Sequence, residues 1–441
     1  MKIKHAYDVA RWRLCVGCGA CSHLCPQKNI SLENVLAEGI RPRLDEERCD
    51  NCGDCLRACP GLGAAHQPSE RADGVLGELR KGWGPVLEVW EGYASDPSLR
   101  FNGSSGGAAS ALARYCLERE GMGGVLHIAA DSKDPYANKT VLSRSREELL
   151  AASGSRYAPA SPCSGLEMIE SAPGPCVFIG KPCDVAAVRM AQRVKPELDG
   201  NIGVTIGIFC AGTPATQGTF DLLHKLGIDP GKVEGLRYRG KGWPGKFSVK
   251  LKGEEEPREV LTYMDAWGFV QKYRPYRCYL CPDGTGEFAD LSCGDPWYRQ
   301  VEEGEPGHSL VLVRTEKGRT ILHGAMKEGY LTLERASAHI LEASQKNLLM
   351  KRGAIWGRLL AMKALGIPTP RLHGFSLFEN WLKLSIKEKA RSILGTARRV
   401  IQRKYYRPAA PQPGESESRE WAHNSIGRLR AALSSITSPF R

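Results

Sequence analysis

A chain of 441 residues is too long for one ordinary hydrophobic core, so two or three domains are expected. Apolar residues make up 42% and charged residues 25%, there is no apolar run of roughly eighteen residues, and MKIKHAYDVARW has no apolar leader, so neither a membrane span nor export is expected and the expected setting is cytoplasmic. The net charge of +12 sits at one end: thirteen Lys/Arg against four Asp/Glu lie between Lys383 and Arg441, leaving +3 for residues 1–382, which argues against a nucleic-acid-binding body.

The first predicted element is a repeat. CVGCGACSHLCP (Cys15 to Pro26) recurs as CDNCGDCLRACP (Cys49 to Pro60), 34 residues later. Sixteen cysteines in a reducing compartment point to metal rather than disulfides, and eight of them fall in these two runs. Each run has the spacing C-x2-C-x2-C-x3-C-P. A tight loop turns three thiolates toward one cubane, and the fourth points at the neighbouring cluster. One 4Fe–4S cluster is therefore expected on Cys15, Cys18, Cys21 and Cys59, the other on Cys49, Cys52, Cys55 and Cys25. Gly17, Gly19 and Gly53 let backbone N–H groups approach the sulfides. Zinc is the alternative, but zinc sites favour separated CxxC pairs over four-cysteine runs closed by proline. Residues 1–66 read as a two-cluster ferredoxin domain, with a Gly/Ala/Pro-containing linker over roughly 61–85.

From Val86 to about Ile340 short apolar runs alternate with amphipathic stretches. VLEVWEGYA, GVLHIAA, CVFIG and IGVTIGIFC read as buried strands, and helices are expected at 106–120, 163–171, 184–194 and 215–227. Strand followed by helix, repeated, predicts an α/β layered domain, divided here at 67–175 and 176–345. Residues 346–441 read as a basic helical extension: one helix ending at Gly366 and Pro368, a second over 382–405, a flexible linker PAAPQPGESES and a last amphipathic stretch at 419–436. On the second helix Leu382, Ile386, Ile393, Ala397, Val400 and Ile401 share a face bordered by Lys387, Arg391, Arg398 and Arg403. Such a helix suits anionic lipid or a partner protein, a solvated extension being the plain alternative.

Six patches in the middle region are each ambiguous alone: FNGSSGGAASALARY, SGSRYAP, IGKPCDVAAVRM, IGIFCAGTPATQGTF, RYRGKGWPG and RCYLCPDGTGEFADLSCGDPW. The first reads by default as an ordinary helix N-cap, with phosphate binding as the alternative. In this order they resemble the coenzyme F420 hydrogenase/dehydrogenase beta-subunit family over roughly residues 85–340. The resemblance implies a flavin-binding α/β domain with FAD and one further 4Fe–4S cluster. Cys183, Cys210, Cys278 and Cys281 match the positions of that cluster; taken singly, Cys183 or Cys210 reads equally as a buried apolar cysteine. Cys116, Cys163, Cys176 and Cys293 read as structural, Cys293 being the first substitute for a ligand. For FAD the resemblance points to Asn102, Ser104, Ser105, Gly106 and Gly107, then Ser155, Tyr157 and Lys181, with Lys241 and Trp243 closing over the flavin or its hydride donor. Each could equally be a loop or surface residue. Asp283, Asp290 and Asp295 read as caps and turn formers.

Clusters move electrons singly, whereas a nicotinamide or deazaflavin gives up a hydride carrying two, and a flavin joins the two regimes. No protein nucleophile or acid/base pair is required, and the chain has no GxSxG, HExxH, P-loop or strand-linked GxGxxG. The expected function is an oxidoreductase that exchanges a hydride at FAD and single electrons with ferredoxin or a subunit of a larger complex. The substrate that the resemblance implies is coenzyme F420. A ferredoxin-linked reductase of an organic substrate, and a non-catalytic electron-relay subunit, are the alternatives.

Overall fold

The computed structural model describes residues 3–66, 74–300 and 304–411. The expected amphipathic stretch at 419–436 and most of the linker before it lie outside the described residues. Residues up to Pro411 form one compact unit.

The two cysteine runs flank an antiparallel hairpin, β1 (Ile30–Val35) and β2 (Gly39–Leu44), and each contains a short helix, Ala20–Leu24 and Asp54–Arg57. β3 (Gly63–Ala65) ends this module. The middle of the chain builds an eight-stranded mixed sheet from β4 (Glu88–Ala94), β5 (Val125–Ala130), β6 (Asn138–Ser143), β7 (Cys176–Gly180) and β8 (Ile202–Ile208). A small antiparallel sheet of β9 (Val233–Arg237), β10 (Lys246–Leu251) and β11 (Arg258–Thr262) follows. β12 (Leu291–Gly294), β13 (Ser309–Val313) and β14 (Leu331–Arg335) then complete the large sheet, whose order is β14-β4-β13-β12-β8-β7-β5-β6. Its centre, β12-β8-β7-β5, is parallel; β13, β4 and β14 on one side and β6 on the other are each joined to their neighbours by antiparallel pairing.

The four predicted strands and the helices Ala108–Glu118, Pro182–Val194 and Thr216–Lys225 stand where apolar periodicity places them. Residues 163–171 divide into a 3-10 turn, Pro162–Gly165, and a short helix, Leu166–Glu170. Asp184 accepts the Lys181 backbone N–H at 3.0 Å at the start of the helix Pro182–Val194, which has proline at its first position, so the chain turns sharply from β7 into the helix. β12 is only four residues long and β13 a wholly buried SLVLV run. Neither alternates in polarity, because both faces of the sheet are covered.

One face of the sheet packs on Leu112, Cys116, Ile321 and Leu322. The other packs on Leu166, Val185 and Val188, and the same core takes in Cys18, Ala20, Leu24 and Ala58 of the N-terminal module. The module is thus seated on the sheet by apolar burial. The C-terminal extension closes it from a second side. β15 (Arg371–His373) pairs in parallel with β3, and Val400, from the helix Ile386–Gln402, is fully buried with Val9, Trp12, Leu14, Tyr276 and Leu280.

That last helix meets the body through Ser392, Thr396 and Val400, while Leu382, Ile386, Leu394 and Ile401 are exposed. The face drawn from sequence therefore splits, Val400 turning inward and Leu382, Ile386 and Ile401 outward. Among the described residues no helix is long and apolar enough to cross a membrane.

Val400→Asp would place an unpartnered carboxylate in a closed apolar cluster, at a cost of about 2–5 kcal/mol. The expected result is rapid proteolysis of the extension while the large sheet keeps its hydrogen-exchange protection. Unchanged proteolysis would contradict the docking described here.

Candidate iron–sulfur and flavin site

Gly17, Gly19 and Gly53 take positive φ of 76°, 88° and 82° in the two cysteine loops. Gly19 also admits a close neighbour: a Cβ there would stand 2.9 Å from the Ser164 nitrogen. Cys15, Cys18, Cys21 and Cys59 line one cavity of about 370 Å³, walled by Val9, Leu32 and Pro42 and reached by Cys55. The Cys55 thiol is raised first by burial, is lowered by the Ala6 N–H, and feels Cys52, Cys49 and Cys25 as nearby negative charge. Cys15, Cys18, Cys21 and Cys59 thus face one space, and Cys25, Cys49 and Cys52 lie near Cys55. Cys52 is exposed at the surface of its group.

The second set gathers at the carboxyl ends of two adjacent parallel strands. β7 and β8 run in register, Gly180 beside Gly207. Cys183 opens the helix after β7 and Cys210 follows β8. The loop carrying Cys278 and Cys281 is drawn to this edge by the Cys210 N–H, which donates to the Gly284 carbonyl at 2.8 Å. All four cysteines line one cavity of about 650 Å³, together with Cys15, Val16, Lys181, Arg277, Asp283 and Lys351. Burial pushes the Cys183 thiol well above its ordinary value and Cys210 up to about 11. A thiolate in this cavity must be balanced by positive charge. Among the described residues no three His, Cys, Asp or Glu side chains close on a single-ion position. The fit to a cluster rests on four cysteines around one cation-lined space.

Cys116 and Cys293 are buried in one core, Cys163 and Cys176 in the other. Burial lifts Cys293, on β12, to about 12, and it does not line the cavity. Asp283 accepts the N–H groups of Thr285, Gly286 and Glu287 at 2.7–3.0 Å. Asp290 accepts from Thr205 and Arg189, tying β8 to the helix Pro182–Val194.

Of the residues matched to FAD, Ser104 and Ser155 meet directly, the Ser155 N–H donating to Ser104 Oγ at 2.5 Å. Gly242 donates to the Phe101 carbonyl at 3.0 Å, so the segments at 101–105, 154–155 and 237–242 converge. Asn102 Nδ2 is used within its own helix, donating to the Ser98 carbonyl at 3.0 Å. Gly106 is a packing glycine: its N–H donates to Ser309 Oγ at 2.8 Å, and a Cβ would stand 2.8 Å from the Gly92 carbonyl oxygen. Gly107, at φ 73°, is the N-cap of the helix Ala108–Glu118, and Ser105 Oγ is hydrogen-bonded to Ser309 Oγ. Gly107 thus takes the N-cap position, and Gly106 packs against β4 and β13. Lys181 stands in the cysteine cavity, ion-paired to Asp184 at 2.5 Å. Lys241 is exposed with φ 58°. Trp243 is buried against Trp297 and donates to Asp295 Oδ1 at 2.9 Å. Tyr157 lies among Tyr238, Tyr263 and Trp267.

Two arginines of RYRGKGWPG were not singled out from sequence. Arg239 is buried in a two-point pair with Asp295, at 2.9 and 2.7 Å. Arg237, half-buried, reaches the Asn102 carbonyl at 3.5 Å and has no carboxylate partner among the described residues. Their signal was two guanidinium groups flanking a glycine-rich turn.

Residues 175–339 match the family model for the C terminus of the coenzyme F420 hydrogenase/dehydrogenase beta subunit. Residues 89–167 match its N-terminal counterpart, and residues 14–61 match a 4Fe-4S dicluster domain. The chain belongs to this beta-subunit family. It is 25% identical over 333 residues to the coenzyme F420-dependent sulfite reductase of Methanocaldococcus jannaschii, covering 72% of this chain and 47% of the relative, about half its length. To coenzyme F420 hydrogenase subunit beta of Methanococcus voltae it is 27% identical over 297 residues, covering 63% of this chain and 95% of the relative. A chain of the F420-reducing NiFe hydrogenase complex from Methanosarcina barkeri shares the fold, with a TM-score of 0.50 and 23% identity over 65% of this chain and 95% of that one.

The beta-subunit family match ends at residue 339, so the extension that packs on the N-terminal module lies beyond it. The two regions meet at Glu287. This carboxylate is buried, paired with Arg352 of the extension and hydrogen-bonded to His66 Nε2 at 2.8 Å. Burial alone would raise its pKa, but Arg352 and His66 hold it below the ordinary glutamate value. Its contribution to stability is therefore complete above the unfolded value of about 4.3 and is lost as pH falls through the lower folded value. Glu287→Ala, which strands Arg352, is expected to cost about 3–5 kcal/mol at neutral pH. Chemical denaturation at pH 7 and at pH 3 checks this, and an equal loss at both would contradict it.

Proposed function

We propose that this chain is a flavin- and iron–sulfur-dependent oxidoreductase that exchanges a hydride at FAD and passes single electrons through three 4Fe–4S clusters. One observation carries the reading: Cys15 lines both the cavity of the N-terminal set and the cavity of Cys183, Cys210, Cys278 and Cys281. Val16 and Gly17 line both as well, so the two cysteine-lined spaces adjoin along residues 15–17.

When bound, FAD supplies the conversion between a two-electron hydride and single electrons. The chain's residues hold, orient and shield. Arg237 is fitted to an anionic phosphate: a Cβ at Gly154 or Gly240 would stand 3.1 or 2.8 Å from its Nη1, so both glycines keep the space around this group open. Ser104 and Ser155 stand on the neighbouring segments. Asp295 fixes Arg239 and Trp243, and Tyr263 lies parallel to Trp297 at 5.6 Å, which makes a rigid, water-excluding aromatic wall. Cys183, Cys210, Cys278 and Cys281 would hold the third cluster, with Lys181 beside them.

The names of the relatives support reduced coenzyme F420 as hydride donor. The sulfite reductase among them supports the reverse use, with electrons entering through the clusters and a substrate reduced at the flavin. The relatives named as subunits support a partner complex for this chain as well. The exposed stripe of Ile386, Leu394 and Ile401 beside Lys387, Arg391 and Arg398 is suited to such a contact or to an anionic surface.

Anaerobically purified full-length protein is expected to carry about twelve iron atoms, three clusters of four, and one FAD. Reduced coenzyme F420 should bleach the flavin absorbance. Eight iron atoms and no flavin, or indifference to both reduced F420 and reduced ferredoxin, would overturn the proposal. Arg237→Ala is expected to weaken FAD retention at least tenfold while the iron content stays unchanged.

A further inference from the structure

The cavity of the second cysteine set has an uneven charge inventory. Lys181 is compensated by Asp184 at 2.5 Å, and Arg41 by Glu38 at 3.3 Å. Asp283 is satisfied by three backbone N–H groups. Two cations remain on the lining with no carboxylate partner among the described residues, Arg277 and Lys351.

Arg277 precedes Cys278 and is 4% exposed. Its Nη2 donates to the Pro60 carbonyl at 2.9 Å and its Nε to the Gly61 carbonyl at 3.3 Å, on the turn just after Cys59. Its Nη1 is buried without a partner. A guanidinium N–H left unsatisfied beside four cysteines needs an acceptor, and an anionic sulfur is the acceptor this chemistry supplies.

Lys351 comes from the helix Lys346–Gly353, beyond the family match. Its neighbour Arg352 locks that helix in place, donating from Nε and Nη2 to the Phe375 carbonyl at 3.1 and 2.8 Å and pairing with Glu287. The lysine lines the same cavity as Cys183, Cys210, Cys278 and Cys281.

We propose that Arg277 and Lys351 are positioning residues that compensate the charge of a cluster held by Cys183, Cys210, Cys278 and Cys281, raise its reduction potential, and make that potential depend on the docked C-terminal extension. A cluster bound by four thiolates is an anion, and one electron taken up adds one negative charge with no bond made or broken. Fixed positive charge in a buried site favours the more negative state. The inference rests on the third cluster proposed above.

The experiment is an EPR-monitored redox titration of the full-length protein, wild type and Lys351→Gln, with iron and sulfide counted in each. Cys210→Ser identifies which signal belongs to the third cluster. Lys351→Gln is expected to keep its iron and to make reduction of that cluster about tenfold less favourable, which is about 60 mV for a one-electron couple. The N-terminal clusters should move less, and Lys351→Arg should restore the wild-type midpoint. Arg277→Gln is expected to shift the same midpoint in the same direction. Three clusters in the wild type with an unmoved midpoint in both glutamine variants would overturn this inference alone, as would loss of iron from Lys351→Gln. Only two clusters in the wild type would overturn the functional reading and this inference with it.

Discussion

The first cysteine loop is bonded through its main-chain carbonyls to the 3-10 turn that packs on the sheet: the Cys163 N–H donates to the Cys18 carbonyl at 3.0 Å, and Ser161 Oγ donates to the Gly17 carbonyl at 2.6 Å. Gly19 makes this approach feasible, since any side chain there would collide with Ser164. The apolar contacts of Ala20, Leu24 and Ala58 with the sheet's core follow from the same seating. The edge shared by the two cysteine-lined cavities depends on this seam.

A second set of ties acts from the opposite side and is carried by charge. Arg277 reaches the turn after Cys59, while Arg352 and His66 converge on Glu287. These are buried groups, so each must find its partner in folded geometry or become a large penalty. The arrangement links the N-terminal module, the CxxC loop and the extension at one junction. The extension is consequently a structural member of the site, although its basic composition reads as that of a solvated tail.

The region proposed above to take the flavin is organised differently, by a wall of rings. Tyr157 touches Tyr238, Tyr263 and Trp267, Trp297 links Tyr263 to Trp243, and Arg239 lies over the Tyr263 ring at 4.5 Å. Asp295 orients two of these groups at once. Large rings with few rotamers give a surface that keeps its shape at low entropic cost.

Patterns confined to a few residues were legible in the chain itself. The cysteine runs are local because one tight loop must supply three sulfurs, and the matching dicluster domain at 14–61 agrees with that reading. The apolar strands and the helix after Lys181 were legible for the same reason, since their periodicity and capping lie within one segment. β12 and β13 were not, being short, buried on both faces and free of alternation. The glycines at 106 and 107 carry the same letters whether they cradle a phosphate or admit a neighbouring strand; only the nearness of Gly92 and Ser309 separates the two. Arg277, Arg237 and Lys351 resemble other basic residues along the chain. What distinguishes them is where buried charge lacks a partner, and that depends on contacts between segments 70 to more than 200 residues apart. Local spacing determined the chemistry of the ligands, and tertiary packing decided which charges would face them.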